Sequence, residues 1–480
     1  MADSSTEQPG SRWSGDDSHV AWLPDLLYTG ARFERGLALV CDSSGRIARV
    51  ARATEVAGCS VRPLKNRALL PGLVNAHSHA FQRVIRGRTE YRTSAQDSFW
   101  TWREMMYSAA MRLGPEEVYD ASRMAFLEMV RAGITSVGEF HYLHRTPEGA
   151  PYGDPNLLAK EVVRAARAVG LRIALLRVAY ARSGHNTAPD PRQLRFIEAD
   201  PEVYLSNVDA LQAALARDDT ATAWAGVAPH SVRAVPLAYL KEVFRFALER
   251  ELPLHMHVAE QPAEVSACVS EYGRTPVALL SAEGLLSDRL TGVHAIHVTP
   301  AEARAMARAG AMVCACPTTE RNLGDGVVPA DLFFREGVRI ALGTDSHTQI
   351  DLLEDARALE LHLRLQRLER AVLAHEGDSL SSLASRLFEC ASLHGAESIG
   401  ARGGKLEEGR PADFFTVDLD DPAIAGASAD DLLPCIVFSL APGSVREVFV
   451  GGRPVLEEGR HRDHLEIVQR FAALQRRLWS

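Results

Sequence analysis

Lysine is nearly missing: Lys65, Lys160, Lys241 and Lys405 are the only four in 480 residues. With a formal net charge of −9 and no run of basic residues, the chain offers no track for a nucleic-acid backbone. Recognition of anions falls to individual arginines. Cysteine is sparse as well: seven residues, odd in number and irregularly spaced, exclude a disulfide framework and fit a reducing compartment. Cys314 and Cys316 form a C-x-C in an apolar run and read as two small buried strand residues. No apolar stretch reaches the ~18 residues of a membrane span, and the opening "MADSSTEQPGSRWSGDDSH" lacks an apolar secretory core. These absences predict a cytoplasmic protein that engages neither membrane nor nucleic acid and starts with a loose polar tail.

What is present is ordinary globular material, 46% hydrophobic and 24% charged, enough for a large core. Short apolar runs alternate with longer amphipathic stretches, the pattern of repeated βα units around a parallel sheet. Eight candidate strands stand out: "GLVNAHSHA", "GITSVGEFHY", "LRIALLRVAY", "TAWAGVAPHSV", "LPLHMHVAE", "GVHAIHVT", "AMVCACPTT" and "VRIALGTDSH". Helix-like segments lie between them, closed by Gly133 and Gly170, and one opens on a capping box from Thr299 to Glu302 with Pro300 in its first turn. The fold class expected is α/β: a (β/α)₈ barrel over 71–402 with a small accessory β-sandwich built from both chain ends, 19–70 and 403–460. A flexible tail over 1–18 and a C-terminal helix over 461–480 complete the plan.

Polar and ionisable residues gather at the far ends of the strands: His77, His79, Glu139, His141, Tyr142, His230, His257, Glu260, His294 and Asp345. The C-terminal rim is where barrels of this kind do chemistry. On a strand, residues two apart share a face, so His77 and His79 point the same way, spaced to bite one ion. Alone, H-x-H is weak and describes two structural histidines, or a pair that merely shares a face, better than a metal site. "HMHVAEQ" adds His255 and His257 on another strand; period two cannot choose between them, but Glu260 just beyond favours His257 and leaves His255 a packing role. Asp345 in "LGTDSH" supplies an anionic oxygen. Three imidazoles and a carboxylate suit one divalent cation, zinc first, although iron and manganese accept the same donors.

This order of motifs resembles the amidohydrolase superfamily in its mononuclear deaminase branch, over almost the whole chain. The resemblance implies that His77, His79, His257 and Asp345 hold the metal. It implies catalytic roles for Glu260 as proton shuttle, His294 as the group that steadies the attacked carbon, and Asp345 as acceptor of the water's proton. His297, on the opposite strand face, takes a structural role. Dinuclear relatives end their fourth strand with a carboxylated lysine, and "AGVAPHSV" has none, so one metal is expected. Within the superfamily, "HSHAFQR", "TEYRT", "DSFWTWREMMY", "EFHYLH", "APHSVR", "AEQ" and "CPTTERNLGDG" resemble the formimidoylglutamate deiminases of histidine degradation. That likeness assigns Gln82, Arg103, Tyr142, His230 and Arg233 to substrate binding, N-formimidoyl-L-glutamate as the substrate, and a homodimer as the assembly.

The physical reading agrees, because this substrate carries two carboxylates and a guanidinium fork grips a carboxylate through two parallel hydrogen bonds. Arg103, in an amphipathic stretch, would otherwise be an ordinary solvated residue. One rival is a deaminase of a purine, pterin or adenosyl compound, which would want stacking aromatics in place of two arginines. The other is a barrel without catalysis that serves as a binding protein.

Overall fold

A computed structural model of the chain describes residues 19–91, 99–218 and 221–480. The expected tail over 1–18 lies outside the described residues, as do parts of "TEYRT" and "DSFWTWREMMY". Two eight-stranded sheets organise the molecule. One is wholly parallel and runs in chain order: β1 (Leu73–Ser78), β2 (Ile134–His141), β3 (Arg172–Ala179), β4 (Ala223–Pro229), β5 (Leu254–Val258), β6 (Leu290–His294), β7 (Met312–Ala315) and β8 (Ile340–Leu342). All eight expected strands are present. Their near-continuous burial is what a sheet covered on both faces requires.

The barrel closes just past β8, where Ser78 and Asp345 form a parallel bridge. The Asp345 amide donates to His77 O at 3.0 Å and the His79 amide donates to Asp345 O at 3.1 Å. Gly343 makes that approach feasible. A Cβ there would stand 2.7 Å from the His77 Cβ and 2.9 Å from its carbonyl oxygen, contacts that real side chains do not tolerate.

The second sheet takes its strands from both chain ends. Phe414–Asp418 lies antiparallel against Ser60–Pro71, which runs on into β1. Trp22, Phe414 and Phe449 pack at its centre, with ring centroids 4.4 Å apart for the Trp22–Phe449 and Phe414–Phe449 pairs. The capping box forms as read, Thr299 accepting from the Glu302 amide while the Glu302 carboxylate accepts from the Thr299 amide at 2.7 Å. The closing helix, His464–Trp479, buries Ile467, Phe471, Leu474 and Leu478, one face at helical spacing, and its Glu466 pairs with Arg123. Cys314 lies on β7 and Cys316 just past its end, both buried. No helix among the described residues is long and apolar enough to cross a membrane.

One buried ion pair fixes a loop that matters for the site. Arg177 of β3 holds the Glu198 carboxylate through both terminal amines and donates Nε to Asn156 at 2.8 Å. The Glu198 amide in turn donates to Tyr180 O at 2.9 Å. Burial alone would raise the Glu198 carboxyl, but the charges of His144 and Arg177 and the hydrogen bonds it accepts bring it down to about 2. Glu198→Gln is expected to cost about 3–5 kcal/mol at neutral pH, since it leaves a guanidinium buried and unmatched. An unfolded glutamate titrates near about pH 4.3, so the wild-type advantage is full above that value and fades as pH falls toward the folded value. Denaturant unfolding at neutral pH and at about pH 2.5 measures the gap between the two proteins; a gap of equal size at both would refute the assignment.

Candidate metal centre and active site

Four donors from three strand ends and the barrel seam meet at the rim. His77 Nε2 stands 3.2 Å from His79 Nε2 and 3.4 Å from Asp345 Oδ1, and His79 Nε2 stands 3.2 Å from the same oxygen. With His257 the four ligating atoms all lie within 4.8 Å of one another. Donors placed 2.0–2.1 Å from a tetrahedral ion would be separated by about 3.4 Å, so the spacing fits a single small cation. His255 is not part of the group: its Nε2 lies 2.8 Å from Ser398 O, deeper in the barrel. The choice that strand period leaves open is thus made by geometry in favour of His257.

The rings are oriented as ligands. His79 Nδ1 lies 2.9 Å from Phe140 O and His257 Nδ1 lies 3.1 Å from His230 O. A neutral ring that donates its Nδ1 proton to a carbonyl presents a bare lone pair at Nε2. Burial pushes the His77 imidazole down to about 3, and burial with the neighbouring histidines holds His257 well below its ordinary value. Burial works the other way on Asp345, but the His77 and His79 rings beside its carboxylate overcome it and hold it well below the usual range. Three imidazoles facing one carboxylate are a donor set suited to a divalent ion.

On the other side the cavity is rich in protons. Burial raises Glu260, opposed by His294 and reinforced by Asp345. His294 would be lowered by burial, yet Glu260, Glu320 and Asp345 raise it well above the usual range. Its Nε2 is 3.7 Å from Glu260 and 3.9 Å from Asp345, while its Nδ1 is 3.2 Å from Glu320. Glu320 also accepts from the Cys316 amide at 2.8 Å. His297 does not share a strand with His294, contrary to the expected opposite face: β6 stops at His294, where the backbone turns left-handed at φ 71, and His297 Nε2 meets Asp325 O in the loop beyond.

His79, His257, Asp345, Glu260 and His294 line one cavity. So do Gln82, Arg103, Tyr142, His230 and Arg233, the residues that the resemblance assigns to the substrate. Gln82 Nε2 donates to the Tyr142 hydroxyl at 2.8 Å. Arg103 turns inward from helix α1 (Phe99–Ala110), its guanidinium 5.0 Å over the Tyr107 ring and its Nε donating to the Tyr107 hydroxyl at 2.5 Å. Glu139 and His141 stay out of the cavity. Glu139 accepts from Ser78 Oγ at 2.5 Å and the Ala80 amide at 2.7 Å, bracing the turn that carries His79, and burial pushes its carboxyl up to about 7.

The sequence does not single out Glu320, Tyr107, Tyr180 or Phe196, which the fold brings to His294 or the cavity wall. Glu320 sits one turn into the helix Pro317–Leu323, where an acid is unremarkable by pattern. Only its burial marks it.

A sequence profile of the amidohydrolase family matches residues 68–455. The chain belongs to the amidohydrolase family. It is 40% identical over 395 residues to the formimidoylglutamate deiminase of Pseudomonas aeruginosa, covering 82% of this chain and 86% of that protein. It is 28% identical to a 5-methylthioadenosine/S-adenosylhomocysteine deaminase of Halobacterium salinarum, covering 88% and 87%. Among solved structures, an amidohydrolase from Brucella melitensis superposes with a TM-score of 0.87 at 32% identity, covering 97% of this chain and all of that one. An adenosine deaminase from Xanthomonas campestris, solved with bound zinc, shares the fold at a TM-score of 0.80 and 24% identity, over 96% of this chain and 98% of that one.

As purified, this amidohydrolase is expected to carry about one equivalent of divalent metal per chain, the capacity of one four-donor group. His257→Ala and Asp345→Ala should each lose most of it, whereas His255→Gln keeps it. Elemental analysis of the variants measures this, and metal retained by His257→Ala but lost from His255→Gln would reverse the ligand choice.

Proposed function

We propose that the protein hydrolyses N-formimidoyl-L-glutamate to N-formyl-L-glutamate and ammonia, with one divalent ion, zinc by preference, held by His77, His79, His257 and Asp345. The observation that carries this reading is a shared cavity: Arg103 and Arg233 line it together with His79, His257 and Asp345 of the four-donor group. A dicarboxylate with a hydrolysable amidine matches both. The likeness to the Pseudomonas aeruginosa enzyme supports the same substrate.

When bound, the ion supplies a water whose pKa falls from 15.7 toward about 7. Asp345, held well below the usual carboxylate range beside His77 and His79, would accept a proton from it. Arg103 and Arg233 draw the two carboxylates, Gln82 and Tyr142 hydrogen-bond the body of the substrate, and His230, kept neutral by burial and by Arg233, offers a ring nitrogen beside them. Glu260, raised by burial, delivers a proton to the departing nitrogen. His294 steadies the oxygen-bearing carbon, itself held by Glu320 at Nδ1. Water is consumed, the terminal carbon–nitrogen bond breaks, and the glutamate nitrogen stays acylated.

An ammonia-release assay on N-formimidoyl-L-glutamate, beside guanine, 5′-methylthioadenosine and N-formyl-L-glutamate, tests the reading. Turnover of the first alone is expected. Glu260→Gln should lower kcat by about 10²–10⁴. Arg233→Met should raise KM for the dicarboxylate while doing little to a neutral amidine. Ammonia from the purine compounds and none from the amidine would favour the adenosyl-type alternative, and turnover of N-formyl-L-glutamate would indicate an amidase.

A further inference from the structure

Behind the two arginines lies a polar chain that the proposed reaction does not use. Arg103 donates Nε to the Tyr107 hydroxyl at 2.5 Å, and Arg233 donates to the Tyr180 hydroxyl at 3.5 Å. Both hydroxyls also accept from a single amide nitrogen, Gln193 Nε2, at 2.5 and 3.1 Å. Each phenol oxygen therefore takes two donated hydrogens and retains its own. Among the described residues neither hydroxyl has an acceptor for that proton, and both rings line the inner cavity.

Gln193 is buried and borders only the outer vestibule, with Oε1 unpartnered. In the structure the amide nitrogen faces both tyrosines and Oε1 is left without a partner.

We infer that Tyr107 and Tyr180 donate their hydroxyl protons to the substrate carboxylates drawn in by Arg103 and Arg233, and that Gln193 is the positioning residue that aims both. This rests on the dicarboxylate reading above. The two phenols suit such a role because their oxygens are saturated as acceptors by three nitrogen donors. The one group left to each is an O–H, which a carboxylate in the cavity can receive. Burial supports it by pushing the Tyr107 hydroxyl up to about 12, so it keeps its proton at neutral pH. Gln193 stands in the short helical turn Pro191–Gln193, within the loop that Glu198 and Arg177 anchor, so its amide is held from behind.

The experiment uses the metal-loaded protein, glutarate as a non-reacting dicarboxylate probe, and the variants Tyr107→Phe, Tyr180→Phe and Gln193→Leu. Phenylalanine keeps the rings that pack on Phe196 and His230, so the folds of the first two are preserved. Each phenylalanine variant is expected to weaken glutarate about tenfold or more by calorimetry and to raise KM for N-formimidoyl-L-glutamate similarly, with kcat little changed. Gln193→Leu should do the same without touching the ligand. Glutarate binding and KM within about twofold of wild type in both phenylalanine variants would overturn the inference, as would a loss confined to kcat. A wild-type protein that binds glutarate through these hydroxyls but releases no ammonia from N-formimidoyl-L-glutamate would sink the proposed reaction and leave the tyrosine assignment standing.

Discussion

The closing seam of the barrel is the constraint on which the site depends. The last strand meets the first through two backbone hydrogen bonds, Asp345 to His77 and His79 to Asp345, so the same peptides that complete the sheet bring three of the four metal donors together. Strand period makes that contact all or none. A slip of one residue would turn His77 and His79 onto the outer face and leave Asp345 facing apolar side chains. Gly343 lets the backbones come close enough, and Asp345 itself adopts a left-handed backbone at φ 45. Ala259, His294 and Ala295 do likewise at φ 50, 71 and 49. Such turns cost about 1–3 kcal/mol each for a side-chain-bearing residue. Here they gather where β5, β6 and β8 end, and they aim Glu260, His294 and Asp345 into one cavity.

A second constraint is electrostatic. The seam side holds imidazoles and an aspartate kept well below the usual carboxylate range, whereas the ends of β5 and β6 and the segment after β7 crowd Glu260, His294, Glu320 and Asp325 into a buried volume. Burial penalises every added negative charge there and raises Glu260, Glu320 and Asp325, while the carboxylates of Glu260 and Glu320 raise His294. A donor set for a cation and a cluster of raised acids thus stand a few ångströms apart, with β5 serving both through His257 and, just past its end, Glu260. Both are needed to expel an amine from a carbon under attack by water.

How much of this could be read beforehand follows from where each residue sits. His77, His79, His257 and Asp345 were legible because each ends or follows a strand, and strand ends are marked by apolar runs of fixed period. Period two was also what left His255 and His257 undecided; only tertiary depth separates them, since His255 reaches Ser398 instead of the rim. The same rule failed for His297, because β6 stops at a left-handed His294 that no pattern announces. The eight strands, the box at Thr299 and the pairing of both chain ends were visible for the same local reasons. Glu320, Tyr107 and Gln193 were not: they lie in helices or a turn, where direction is set by what packs against them.

Arg103 shows why the scarcity of lysine and the design of the cavity belong together. An arginine can engage a fixed partner through Nε and still extend two terminal amines in a plane, which a single ammonium cannot do. Arg103 donates Nε to Tyr107 and lies over that ring, and Arg192 packs 5.0 Å over the same ring while holding Glu104 and Asp190. The ring thus ties α1 to the loop after β3 by stacked guanidinium planes. Lysine would give up the planar contact and the Nε anchor together, and the cation at that position would lose its fixed direction. An anion site built this way depends on neighbours that are themselves uncharged, which is why the groups that link the two guanidinium groups are the hydroxyls of Tyr107 and Tyr180 and the amide of Gln193.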